Sequence, residues 1–104
     1  MAAHSESFQS DPRIVEARRL VLEALAEHQE RLSGVREPDP ALADAAHQRM
    51  KDFGRLRGTD LYFPYLGSGF GRGALVELSD GSVKYDFIAG IGVHCMGHAH
   101  PVVV

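Results

Sequence analysis

The chain has 104 residues, 44% of them apolar, and a formal net charge of −3, the size and make-up of one globular domain. That charge offers no basic field for nucleic acid. The segment Met1 to Ser10 lacks the basic and apolar regions of a secretory signal, and no apolar run approaches the roughly 20 residues needed to span a bilayer. The single cysteine, Cys95, has no internal partner, so a reducing, cytoplasmic setting is the expectation.

Charge divides the chain. Of 25 Asp, Glu, Lys and Arg residues, 20 lie at or before Asp60. Residues 1–60 therefore read as a solvated helical region, and residues 61–104 as a buried, glycine-rich one. The first helix is expected to open at Ser10 or Asp11, with Pro12 at its first position, where a missing N–H costs nothing. Ile14, Val21, Leu25, His28 and Leu32 recur at helical spacing as its apolar stripe, and Gly34 is the expected stop. A second helix is predicted from Asp39 and Pro40 to about Phe53, with Leu42, Ala46, Met50 and Phe53 inward. Both helices are read as packing elements.

From Leu61 the period changes. Tyr62-Phe63-Pro64-Tyr65-Leu66 is expected to be extended, because the residue before proline avoids the helical region. Gly67, Gly69, Gly71 and Gly73 precede a strand and open no helix, so they do not fit a phosphate-cradling loop. A flexible approach is expected there. Strands are predicted over Ala74 to Leu78 and Val83 to Ile88, joined at Ser79-Asp80-Gly81-Ser82 into an antiparallel hairpin. The fold class is thus α+β: N-terminal helices followed by a small hairpin and a glycine-rich loop.

His94, Cys95, His98 and His100 carry metal-ligand chemistry, and His94, His98 and His100 can supply three ligands to zinc. Gly97 and Pro101 impose a turn in which they need not converge, so a histidine that satisfies backbone groups and fixes the turn is preferred. Cys95 as a nucleophile has no group that orients it. Pro101 suits the first turn of a helix, which the following valines are too few to nucleate. The expectation is that the chain is a piece of a longer protein.

Asp80-Gly81, Tyr85-Asp86-Phe87, Ala89-Gly90-Ile91, Val93 and Gly97-His98-Ala99-His100-Pro101 together resemble the N-terminal segment of class III aminotransferases. These are the pyridoxal-phosphate enzymes that include acetylornithine and ornithine aminotransferases. The resemblance spans about Gly69 to Val104. It implies a fragment of the small domain of a fold type I enzyme, which moves an amino group from an amino acid or ω-amine to a 2-oxo acid and works as a homodimer. It implies that Ile91, with Gly92 and Val93 nearby, borders the substrate pocket, and that His98 and His100 set a turn. The family needs a Schiff-base lysine. This chain has only Lys51 and Lys84, and neither matches that position, so the chain alone is expected neither to bind the cofactor nor to catalyse. The alternative is a small non-catalytic interaction module, with metal binding through His94, His98 and His100 as a variant.

Overall fold

The computed structural model describes residues 3–63 and 65–103. A short helix, α1 (His4–Gln9), precedes the expected elements, and the Ser10 hydroxyl closes it by donating to the Glu6 carbonyl at 2.8 Å. Asp11 then caps α2 (Pro12–Gln29): its carboxylate accepts from the Arg13 N–H at 2.9 Å, and Pro12 takes the first helical position. The choice between Ser10 and Asp11 thus falls to Asp11.

Helix α2 ends at Gln29, before the expected stop at Gly34. The Arg31 and Leu32 amides bond to the His28 and Gln29 carbonyls at 3.2 and 3.0 Å. This tightened last turn tucks Leu32 inward without any left-handed residue. Of the stripe, Leu32 is buried and Ile14 and Leu25 half-buried, while Val21 and His28 are exposed. The His28 ring meets Phe70 edge-on, 6.4 Å between centroids.

Helix α3 (Pro40–Arg57) starts as expected, the Asp39 carboxylate accepting from the Ala41 N–H at 2.9 Å. It runs past Phe53 to Gly58, whose φ of 90° gives the left-handed cap, a conformation that glycine adopts without penalty. Its buried residues are Ala46 and Gly54; Leu42 and Phe53, expected inward, are largely exposed.

The sheet has three strands in the order β1-β2-β3: Gly67–Arg72, Leu75–Leu78 and Val83–Tyr85, all antiparallel. β1 corrects the flexible-approach reading. The glycine run pairs with β2 through Gly67↔Leu78, Gly71↔Val76 and Arg72↔Leu75, with a bulge between Gly67 and Gly71 that absorbs the irregular composition. β3 is shorter than the expected Val83 to Ile88, because Asp86 turns the chain away. At the β2–β3 turn the Asp80 carboxylate accepts from the Ser82 N–H and hydroxyl at 2.9 and 2.6 Å, and the hydroxyl in particular holds its pKa below the ordinary value. Pro64 lies outside the described residues; Tyr62 and Phe63 beside it are exposed.

The α2–α3 connection runs along β3. Arg36 and Val83 exchange both backbone hydrogen bonds at 3.0 Å, and the Arg36 guanidinium reaches the Gly81 carbonyl and the Glu77 carboxylate, each at 2.9 Å. Leu32, Ala46, Leu78 and Val83 are the buried apolar residues among those described. The molecule is open. Its radius of gyration is 17.6 Å, against about 13 Å for a compact chain of about 100 residues. Its accessible surface is 8144 Å², against about 5,800 Å² for a compact protein of this mass. None of the described helices is long and apolar enough to cross a membrane.

Leu32 is only 2% exposed, so Leu32→Ala is expected to cost roughly 2–5 kcal/mol. Leu56 is 89% exposed, and Leu56→Ala should stay within about 0.5 kcal/mol of wild type. Urea denaturation midpoints of the two variants check the contrast.

Candidate functional site

The end of β3 builds the site. The Asp86 N–H donates to the Ala74 carbonyl at 2.7 Å and ends the strand's pairing. The Asp86 carboxylate then serves two segments. Its Oδ1 accepts from the backbone N–H groups of Ile88 and Ala89, each at 2.9 Å, and its Oδ2 lies 2.8 Å from His98 Nε2. The Ala89 amide above all, then the His98 ring and the Ile88 amide, stabilise the ionised form and lower its pKa to about 2.

His98 reaches Asp86 because two glycines let its segment lie on β1. The His98 N–H donates to the Gly73 carbonyl at 2.9 Å. A Cβ on Gly71 would lie 2.6 Å from His98 Cβ, and one on Gly97 would lie 2.7 Å from Gly73 Cα. The His98 side chain therefore lies against bare backbone at Gly71, and backbone meets backbone at Gly97 and Gly73, where a side chain has no room. Gln29 ties α2 to this seat, its Nε2 donating to the Gly71 and Ala99 carbonyls at 3.0 and 3.3 Å.

Between the strand end and His98 the chain makes a left-handed segment. Ala89, Gly90, Ile91 and Gly92 have φ values of 52°, 61°, 63° and 86°. For a β-branched residue such as Ile91 this is a strained conformation, costing of order 1–3 kcal/mol. The Ile91 and Gly92 amides bond to the Ile88 carbonyl at 3.0 and 3.2 Å, and the His94 amide to the Ala89 carbonyl at 2.9 Å. Ile91 is 91% exposed and Val93 73% exposed. The three residues expected at a pocket, Ile91, Gly92 and Val93, thus share one exposed loop.

The inner side of that loop bounds a pocket of about 340 Å³, lined by Gly73, Asp86, Ala89, His94, Met96 and His98. The His94 and His98 rings lie 4.7 Å apart, while His100 Nδ1 accepts from the Val102 N–H at 3.2 Å. Among the described residues no group of three or more His, Cys, Asp or Glu side chains is placed to hold a metal ion, so His94, His98 and His100 are not gathered as a three-ligand set. Cys95 is exposed. A larger cavity of about 680 Å³ lies between α3 and the sheet, where Arg36, Asp39, Leu42, Arg49 and Glu77 contribute. Arg36 and Asp39 are already held there by Glu77 and the Ala41 amide.

The sequence motifs contained Asp86 and His98, but spacing alone did not pair them. The available signal was an aspartate inside the predicted strand Val83 to Ile88, a residue type that turns a chain by accepting from the amides that follow. Of the histidines read as satisfying backbone groups, His100 does so, its Nδ1 accepting from the Val102 N–H, while the His98 ring goes to the Asp86 carboxylate.

A 34-residue stretch of the chain is 47% identical to acetylornithine aminotransferase of Corynebacterium efficiens, covering 33% of this chain and 8% of that enzyme. No family model matches the chain, nor does any solved structure.

Gly71→Ala is expected to expel His98 from β1 and to destabilise the chain by about 1–3 kcal/mol, read as a lowered urea midpoint together with loss of the His98 ring shifts in NMR. The pH dependence follows from Asp86, whose pKa falls from 3.8 unfolded to about 2 folded. Its stabilisation is complete above pH 3.8 and is lost as pH falls through that window towards 2. Asp86→Asn should therefore flatten the acid decline of stability between about pH 4 and about pH 2, measured by urea midpoints across that range.

Proposed function

We propose that this chain is the N-terminal segment of a class III aminotransferase, an enzyme that transfers an amino group from an amino acid or ω-amine to a 2-oxo acid. The observation that carries the reading is the 47% identity over 34 residues to acetylornithine aminotransferase. In this reading residues 69–104 open the small domain of a homodimeric fold type I enzyme, and residues 1–60 form a helical extension ahead of it. Ile91, Gly92 and Val93 then border the substrate.

Two physical features support that assignment. Strained backbone concentrates at ligand-contacting sites, and of the three non-glycine residues with positive φ among those described, Ala89, Ile91 and Ala99, two fall in this loop. The loop is also apolar and uncovered: Phe87, Ile88, Ile91 and Val93 are 92%, 67%, 91% and 73% exposed, as suits a segment that packs against further protein. Pyridoxal phosphate supplies the electron sink of such an enzyme, and the lysines of this chain do not fit its Schiff base. Lys51 lies exposed on α3, and Lys84 is held in β3 with its Nζ 6.0 Å above the Tyr65 ring. The cofactor belongs in this reading to the complete enzyme, and no step of transamination is assigned to either lysine.

The same uncovered surface favours a second reading, a small non-catalytic interaction module. A chimera separates the two. Residues 69–104 replace the matching segment of the Corynebacterium efficiens enzyme, and transamination of acetylornithine is assayed alongside cofactor absorbance. Retained activity is expected, with Ile91→Asp in the chimera raising KM by about tenfold or more and leaving cofactor absorbance unchanged. A chimera that folds and holds cofactor but turns over no acetylornithine overturns the enzyme reading.

A further inference from the structure

The left-handed segment is held at its base by a side-chain pair from two places in the chain. Ala89 and Ile91 sit at φ 52° and 63°, a conformation that persists only where the surroundings over-determine it. The amides of Ile91, Gly92 and His94 fold the segment onto Ile88 and Ala89, but those bonds are internal to it and do not aim it. What joins it to the sheet is Asp86, through the Ile88 and Ala89 amides on Oδ1 and His98 on Oδ2. His98 in turn is seated by its N–H on the Gly73 carbonyl. The pair is largely withdrawn from solvent, with side-chain exposures of 23% for His98 and 20% for Asp86, so water competes weakly for the bond.

We propose that Asp86 and His98 are positioning residues that form a clamp: their hydrogen bond locks the Ala89–Gly92 segment in its left-handed form and so fixes the direction in which Ile91, Gly92 and Val93 face a substrate. The substrate side of this statement rests on the aminotransferase reading; the clamp itself does not. The His94 ring, 4.7 Å from that of His98, packs on the same side and closes the clamp over the pocket bounded by Ala89 and Met96. A glutamine at position 98 can extend an amide N–H to the place of His98 Nε2, whereas leucine keeps bulk and removes the donor.

Amide hydrogen exchange on the 104-residue chain tests the clamp without any ligand. His98→Leu is expected to speed exchange at Gly92 and His94 by about tenfold or more while the paired amides of β2 and β3 keep their rates, and His98→Gln is expected to restore protection. Asp86→Asn, which keeps the Oδ1 acceptor and loses the Oδ2 one, should loosen the same two amides and serves if His98→Leu does not fold. Unchanged exchange at Gly92 and His94 overturns the clamp. So does an acceleration shared equally by the sheet, or a glutamine variant as loose as the leucine one. An inert chimera would sink the enzyme reading and leave this result standing.

Discussion

The C-terminal half of the molecule depends on where the Asp86 carboxylate sits. One side chain ends a strand, caps the turn that follows and holds a histidine from twelve residues on. A carboxylate suits this place because its two oxygens accept from several donors at once, which an amide or hydroxyl cannot do with equal strength. Its low pKa is the same fact seen electrostatically: three donors converge on one negative charge. Removing the charge leaves donors facing one another. The glycines at 71 and 97 are the steric counterpart, since the histidine reaches the carboxylate with its Cβ directly over Gly71 and with Gly97 against the Gly73 backbone.

The rest of the structure is held by a few polar pins more than by a core. Among the described residues buried apolar side chains are few, and α2 meets the sheet through the His28 ring on Phe70, the Gln29 amide and the Arg72 guanidinium, which donates to the Gln29 carbonyl at 3.3 Å. Single hydrogen bonds of this kind contribute about 0.5–1.5 kcal/mol each. The chain exposes roughly 2,300 Å² more than a compact protein of its mass, and obligate interfaces bury about 2,000–5,000 Å² in total. An excess of that size, with Phe87, Ile91, Val93, Val102 and Val103 uncovered, includes apolar surface that packing against more protein would withdraw from water.

Local chemistry made the helix starts legible. Asp-Pro stands at both, and the aspartate caps and the prolines' fixed φ act within a few residues. The α+β class was legible for the same reason, from a period change near Leu61. The helix ends were less so. Gly58 was a better stop than Phe53, and α2 ended by internal tightening that leaves no residue signature. The glycine run was misread as flexible because glycine's freedom describes the unfolded chain. Once β2 lies beside it the run pairs, and one of its glycines, Gly71, serves close approach. The Asp86–His98 pair was invisible to spacing because it depends on β1 carrying the Gly97–His98 segment to the strand end, a tertiary fact. Leu42 and Phe53 show the converse: a correct helical stripe does not say how much of it finds a partner.

The loop joins a fixed base to an exposed tip. At its base the bonds of Asp86 to Ala89 and His98 are short and partly shielded, while at its tip Ile91 is almost wholly in water on a backbone that disfavours a β-branched side chain. A loop selected only for connecting Asp86 to His98 gains nothing from an isoleucine there, since a glycine would remove both the strain and the exposed apolar area. Nor does the isoleucine stabilise the isolated chain, because almost none of its apolar area has left water. In the aminotransferase reading its free-energy return comes from contact with the rest of the pocket, and a base held by Asp86 and His98 means that little further ordering is needed when that contact forms. The same physical argument that makes the loop a poor part of a small independent domain suits it, in the aminotransferase reading, to the wall of a pocket.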